Sequence, residues 1–316
     1  MAIFKDYLEN KSPLILHGAL GTEMESLGYD ISGKLWSAKY LLEKPEVIQK
    51  IHETYVAAGA DLITTSSYQA TLPGLIDVGL NEKEAEQIIA LTVQLAKNAR
   101  DKVWATLDDS EKAKRPYPLI SGDVGPYAAY LANGSEYTGD YGQITIEALK
   151  EFHRPRIQIL LDHGVDLLAL ETIPNYLEAQ ALIELLAEEF SEAEAYISFT
   201  VQEPGTISDG TSLDEIAQLV SQSDQILALG INCSSPLLYN QALAILKDVG
   251  KALITYPNSG EVYDGSTQTW KPKDKDALTL VEHSKDWHDQ FGVKILGGCC
   301  RTRPNDIKAL YAEFRT

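Results

Sequence analysis

Three cysteines stand where side chains can do chemistry. Cys233 follows the apolar run Ile226 to Ile231, and the adjacent pair Cys299–Cys300 follows Val293 to Leu296 behind Gly297–Gly298. Short apolar runs between helical stretches read as buried parallel strands. Three thiols delivered by two strand ends read as a thiolate-rich metal site, zinc with one position left open.

Other readings compete. A lone cysteine is commonly a small core hydrophobe, and Cys233 by itself reads equally well that way. The pair resists that reading, because adjacent side chains on a strand point to opposite faces and serve one site only in a loop. Gly297–Gly298 offers the backbone freedom for such a loop. A vicinal disulfide is strained and disfavoured in a reducing compartment. An iron–sulfur cluster wants four protein thiolates, and the chain has three cysteines. A closed zinc site of three cysteines and one histidine, with His17 as fourth ligand, is the structural competitor. His17 alone among six histidines falls at a strand end, since His52, His153, His163, His283 and His288 fall in helical patterns.

An open zinc held by three thiolates carries enough negative charge to activate water poorly. A substrate thiol can take the fourth position and ionise there, whereas a free thiol with pKa about 8.5 is mostly protonated at neutral pH. The reaction this favours is alkyl transfer to a thiol.

Positioning the sulfurs requires strands that end on one face. Apolar runs alternate with amphipathic stretches throughout, without a linker or low-complexity segment. Strands are expected near Leu14–His17, Asp61–Thr65, Tyr117–Ser121, Val165–Leu170, Ala195–Thr200, Ile226–Ile231, Ala252–Tyr256 and Val293–Leu296. Eight strand–helix alternations predict an α/β protein, a (β/α)8 TIM barrel, with residues 1–316 as one domain. No glycine-rich dinucleotide fingerprint follows the first strand, which disfavours an open Rossmann sheet. Cys233 would top the sixth strand and Cys299–Cys300 the eighth, on the face where barrel active sites sit. The helix after Cys233 is expected to take Ser235 as its cap and Pro236 as its first residue. The last helix is expected to bury Ile307, Leu310, Tyr311 and Phe314 behind Pro304.

Composition sets the partners. The formal charge of −19, from 27 basic and 46 acidic side chains, argues against nucleic acid and anionic membranes and permits a cationic substrate. No run approaches the roughly 18 apolar residues of a membrane span. The start, MAIFKDYLENKS, has no signal-peptide pattern, so a cytoplasmic location is expected.

At these residues the sequence resembles the homocysteine S-methyltransferase family, and within it the S-methylmethionine-using branch. The resemblance runs through HGALGTEME at 17–25, LWSAKYLLEKPEVI at 35–48 and AGADLITTSSYQA at 58–70. It continues with GPYAAYLANGSEYTGDY at 125–141, HRPR at 153–156, DLLALETIPN at 166–175 and SDGT at 208–211. GINC at 230–233, YPNSGEVYD at 256–264 and GGCCRTRP at 297–304 complete it. It implies a zinc-dependent transfer of methyl from a sulfonium donor, S-methylmethionine or S-adenosylmethionine, to homocysteine, giving methionine. Cys233, Cys299 and Cys300 match the zinc ligands, and Glu171 matches the acid that holds the homocysteine ammonium.

Other candidate contacts come from the residues. A carboxylate in a barrel mouth suits a substrate cation, although an ion pair with a nearby arginine would explain Glu171 equally well. Asn232 and Asn258, at strand ends six and seven, suit binding of a substrate carboxylate or orientation of a cysteine, or else serve as turn residues. Ser66, Ser67 and Tyr68 follow strand two on the same face. Trp36, with Tyr68 or Tyr127, suits cation–π contact with a sulfonium, about 0.5–2 kcal/mol. Two positions depart from the family pattern. His17 stands where an aspartate is usual, and Asp123 stands where close relatives have a small residue. Asp123 is expected to supply the charge lost at His17. Rival functions are methylation of another thiol or selenol such as selenocysteine, a non-catalytic barrel whose zinc is closed by three cysteines and a histidine, and a cysteine redox sensor.

Overall fold

Eight parallel strands form one sheet: β1 (Leu14–Ile15), β2 (Leu62–Thr64), β3 (Leu119–Val124), β4 (Leu167–Ile173), β5 (Ala195–Phe199), β6 (Ile226–Asn232), β7 (Ala252–Tyr256) and β10 (Ile295–Leu296). They follow the order β1-β10-β7-β6-β5-β4-β3-β2, and a parallel bridge from Leu16 to Leu62 joins the last strand to the first. This is the expected (β/α)8 barrel, seen in a computed structural model that describes residues 3–31, 35–264, 269–271 and 277–315. A short antiparallel pair, β8 (Val262–Asp264) with β9 (Thr269–Lys271), is inserted after β7 and was not expected from the sequence.

Alternation along the strands builds two cores. Leu14, Leu62, Leu119, Leu167 and Ile254 fill the barrel interior. Their neighbours Ile15, Ile63, Ile120, Leu168 and Leu253 pack outward against the helices. Helix starts are defined locally. Capping boxes at Asn81 with Glu84, Ser212 with Glu215 and Thr279 with Glu282 open the helices Glu82–Trp104, Leu213–Ser221 and Leu280–Phe291. The closing helix, Pro304–Phe314, starts at its proline as expected. Among the described residues no helix is long and apolar enough to cross a membrane.

Three local differences matter for the site. β3 begins after Pro118, which has no N–H to give the ladder, and runs on through Val124, so Asp123 lies inside the strand. β4 likewise runs past Leu170 to Ile173, so Glu171 belongs to the strand as well. After Cys233 the chain forms a 3-10 turn, Pro236–Leu238, before the helix Tyr239–Leu246. There the Ser235 carbonyl, not its side chain, accepts the first bond, from Leu238 N at 3.1 Å.

The barrel is closed tightly at Gly230, where an added Cβ would lie 1.7 Å from the backbone oxygen of Ile254 on β7. A backbone neighbour cannot swing aside as a side chain can. Gly230→Ala should therefore cost about 3 kcal/mol or more and lower the melting temperature by roughly 5 °C or more. A thermal melt within a degree of wild type would contradict the packing described.

Candidate metal centre and substrate site

The sulfurs converge. Cys233 Sγ lies 3.6 Å from Cys300 Sγ, and the three sulfurs all lie within 4.8 Å of one another. Tetrahedral zinc with Zn–S bonds of about 2.3 Å spaces its sulfurs by about 3.8 Å, so the donor set fits in type and spacing. Hydrogen bonds from both other thiols, and the nearby Arg301, hold the Cys300 thiol well below its ordinary range despite burial.

Backbone geometry brings them there. Cys233 adopts φ 50°, a left-handed conformation that costs a non-glycine residue about 1–3 kcal/mol. Its N–H bonds the Tyr256 carbonyl at 3.2 Å. The Cys299–Cys300 loop is tied to the end of β7 by Cys299 N to Pro257 O at 2.7 Å and Ser259 N to Cys300 O at 3.0 Å. Gly297 and Gly298 serve close approach rather than unusual torsions. Cβ atoms there would meet Leu16 Cβ at 2.7 Å and Thr302 Oγ1 at 2.5 Å. Arg301, beside the sulfurs, is drawn into an ion pair with Glu261 at 2.6 Å.

Glu171 faces the same space. Tyr256 Oη donates to its Oε2 at 3.2 Å, and Ser198 is hydrogen-bonded to the same hydroxyl. Burial raises the Glu171 carboxyl to about 7, with Cys300 adding to the rise and the Tyr256 bond opposing it. Among the described residues Glu171 makes no ion pair, so the arginine-pair reading fails. The register of β4 against β5 shifts between Leu170 and Ile173, and Thr172 inside that bulge has φ 63°. Bulges re-aim side chains beside active sites. Asn232 holds this one in place: its Oδ1 accepts from Thr172 N at 3.0 Å and its Nδ2 donates to Thr172 Oγ1 at 2.8 Å.

Asn232 is therefore a clamp between Glu171's strand and Cys233's strand. Asn258 Oδ1 and Ser66 Oγ are buried without partners, as groups awaiting a ligand would be. Tyr68 packs its ring against Gly125, where a Cβ would lie 2.6 Å from it, and burial, followed by the charges of Glu136, Cys233 and Glu171, raises the pKa of its hydroxyl. Tyr127 instead joins an aromatic cluster, with its ring centroid 4.9 Å from that of Phe152. Trp36 heads the 3-10 turn Trp36–Ala38, and its side chain lies outside the described residues.

The structure does not bring His17 to the sulfurs. Among the described residues the three cysteines alone could share an ion. Leu14 and Leu16 face the barrel interior, so His17 turns toward the helix layer, its ring centroid 5.7 Å from that of Tyr55. Burial lowers the pKa of His17 to about 4 and of neighbouring His52 to about 3. The reading of a zinc closed by His17 is thereby corrected. Three neighbours of the sulfurs had escaped the sequence reading. Tyr256 was legible as the inward-facing end of a strand. Glu136 and Tyr137, whose ionisation is disfavoured by burial and then by the nearby thiols, sit in a 3-10 turn, Ser135–Tyr137, that no periodicity marks.

A sequence profile of homocysteine S-methyltransferases matches residues 14–314. The chain belongs to the homocysteine S-methyltransferase family. A relative from Bacillus subtilis, the homocysteine S-methyltransferase YbgG, is 44% identical over 96% of this chain and 95% of its own. A selenocysteine methyltransferase from Astragalus bisulcatus is 40% identical over 94% and 91%. The crystal structure of the homocysteine methyltransferase MmuM from Escherichia coli, in its metallated form, superposes with a TM-score of 0.86 at 40% identity, covering 98% of this chain and 99% of that one. The chain thus shares its fold end to end with that relative.

Two outcomes test this geometry. Asn232→Ala should release the bulge at Thr172 and lower kcat/KM for the thiol substrate roughly 100-fold, with cysteine-bound zinc retained. Loss of zinc without loss of Glu171-dependent binding would reverse the assignment. For His52, whose folded pKa lies below the unfolded value, the stability contribution is complete above pH about 6.5 and is lost as pH falls toward 3. Urea unfolding at pH 7 and pH 5 should then show His52→Leu losing about 2 kcal/mol less than wild type on acidification, and equal losses would refute the neutral buried imidazole.

Proposed function

We propose that this chain is a homocysteine S-methyltransferase, one barrel domain that transfers a methyl group from S-methylmethionine, or S-adenosylmethionine, to homocysteine and forms methionine. The observation that carries it is the three-sulfur cluster, with Cys233 and Cys300 3.6 Å apart, beside an acid with no ion-pair partner. Cys233, Cys299 and Cys300 would hold Zn2+, which when bound supplies the Lewis acidity that ionises a thiol at neutral pH.

The chain's own groups do the rest. Glu171, oriented by Tyr256, pairs with the amino acid's ammonium and so places its sulfur toward the cysteines. Asn258 and Ser66 offer their unpartnered atoms to the remaining polar groups of the substrates. Tyr68 presents a ring to the donor sulfonium. As the new S–CH3 bond forms, the donor's S–CH3 bond breaks and its electron pair returns to the donor sulfur, which leaves as a neutral thioether. Positive and negative charge are both lost in that step, so exclusion of water around the reacting sulfurs favours it. Methylation of a selenol at the same site is the second reading, favoured by the similarity to a selenocysteine methyltransferase.

Zinc-loaded protein, homocysteine and methyl-deuterated S-methylmethionine should yield labelled methionine under anaerobic conditions. Cys299→Ala should lower bound zinc from one ion per chain to nearly none and abolish transfer. Transfer that persists without zinc would rule out the metal reading. Faster turnover of selenocysteine than of homocysteine would move the assignment to the selenol.

A further inference from the structure

Asp123 is a buried acid that the reaction as described leaves without a role. It is 4% exposed, and its Oδ1 has no hydrogen-bond partner. Leu119, Ser121 and Asp123 share the inner face of β3, while Leu167, Ala169 and Glu171 share that of β4. Asp123 pairs in register with Ala169, so its carboxyl lies one layer beneath that of Glu171. The two are close enough that Glu171 adds to the upward shift burial imposes on Asp123.

Among the described residues one cation acts on this pair, Arg156, whose charge opposes the rise at Asp123, yet it forms no ion pair with either carboxyl. Its two Nη groups are directed to the carbonyls of Ser67, Tyr68 and Gly125 and to His153 Nδ1, and among the described residues its Nε has no partner. Among the described residues neither carboxylate makes an ion pair, and no third acid, histidine or cysteine joins them closely enough to share a metal ion. A buried carboxylate left without a partner is costly, and a cation brought from outside removes that cost. An ammonium group with three N–H donors can bridge two carboxylates stacked one layer apart.

We infer that Asp123 and Glu171 together seat the α-ammonium of the amino-acid substrate, and that Asp123 makes a free amino group a requirement. This rests on the function proposed above and extends it to a buried acid beside Glu171. His17 cannot share the task, because its ring packs against Tyr55.

Metal-free protein isolates the seat from the chemistry. Calorimetry should show methionine binding to wild type, and binding to Asp123→Asn at least about tenfold weaker. The amine-free analogue 4-(methylthio)butanoate should bind both proteins equally, which also reports that the variant is folded. Asp123→Ser should behave as Asp123→Asn does. With zinc restored, Asp123→Asn should raise KM for homocysteine about tenfold with kcat much less changed, and leave KM for 4-mercaptobutanoate unchanged. Equal methionine affinity in wild type and Asp123→Asn would overturn the proposal, making Asp123 a neutral neighbour that asparagine replaces. Wild type that binds methionine no better than its amine-free analogue would also overturn it, while labelled methyl transfer, read separately, would leave the function standing.

Discussion

Asn232 is wholly buried, and its amide spans the gap between the strand that ends at Cys233 and the strand that carries Glu171. The site depends on that pair of bonds. Thr172 and Cys233 both hold left-handed conformations that L-residues avoid, and each adjoins a residue of this clamp or belongs to it. Strain of this kind persists only where surrounding contacts over-determine it. One amide thus fixes the heading of an acid on β4 and begins the turn that lifts a sulfur from β6. A cysteine of the three-sulfur cluster and a buried acid, from strands far apart in sequence, are held in one geometric relation.

Charge is the second constraint. Glu171 and Glu136 approach the sulfurs, with Asp123 beside Glu171; Arg301 pairs with Glu261, and Arg156 bonds backbone carbonyls while its charge favours ionisation of Asp123. The mouth therefore gathers acids whose ionisation burial disfavours, and a cation entering it would favour their charged forms. An amino-acid substrate brings an ammonium to such a mouth. Once ionised, those acids would penalise an extra thiolate, which is where a divalent ion on the cysteines would act.

Arg156 has a further part in holding this arrangement. Its guanidinium binds the loop after β2 and the loop after β3, and through His153 it reaches Glu178, which accepts from Tyr127 N and from Tyr141. The residues at 153 and 156 stand one helical turn apart, so both face the barrel from a single helix. The buried network fixes the loop that delivers Tyr68 without placing a free cation in the mouth.

The sequence by itself determined the barrel, because eight apolar runs separated by amphipathic helices leave few other ways to bury both faces of parallel strands. It also determined that Cys233 and Cys299–Cys300 end strands on one face, since strand ends are marked by where apolar runs stop. Strand parity was less legible. Strand three was expected to stop at Ser121, short of Asp123, and strand four to end about Glu171, yet the ladder continues through both. His17 was expected at the end of strand one on the mouth face, and one step of alternation sends it to the helix layer instead. The tertiary structure decided which polar side chains meet. Asn232 became a clamp, Tyr256 a donor to Glu171, and Asp123 an unpaired neighbour beneath it, because those partners come from strands adjacent in space and distant in sequence. Register and bulges set such meetings, and neither is written in the local pattern of any one strand.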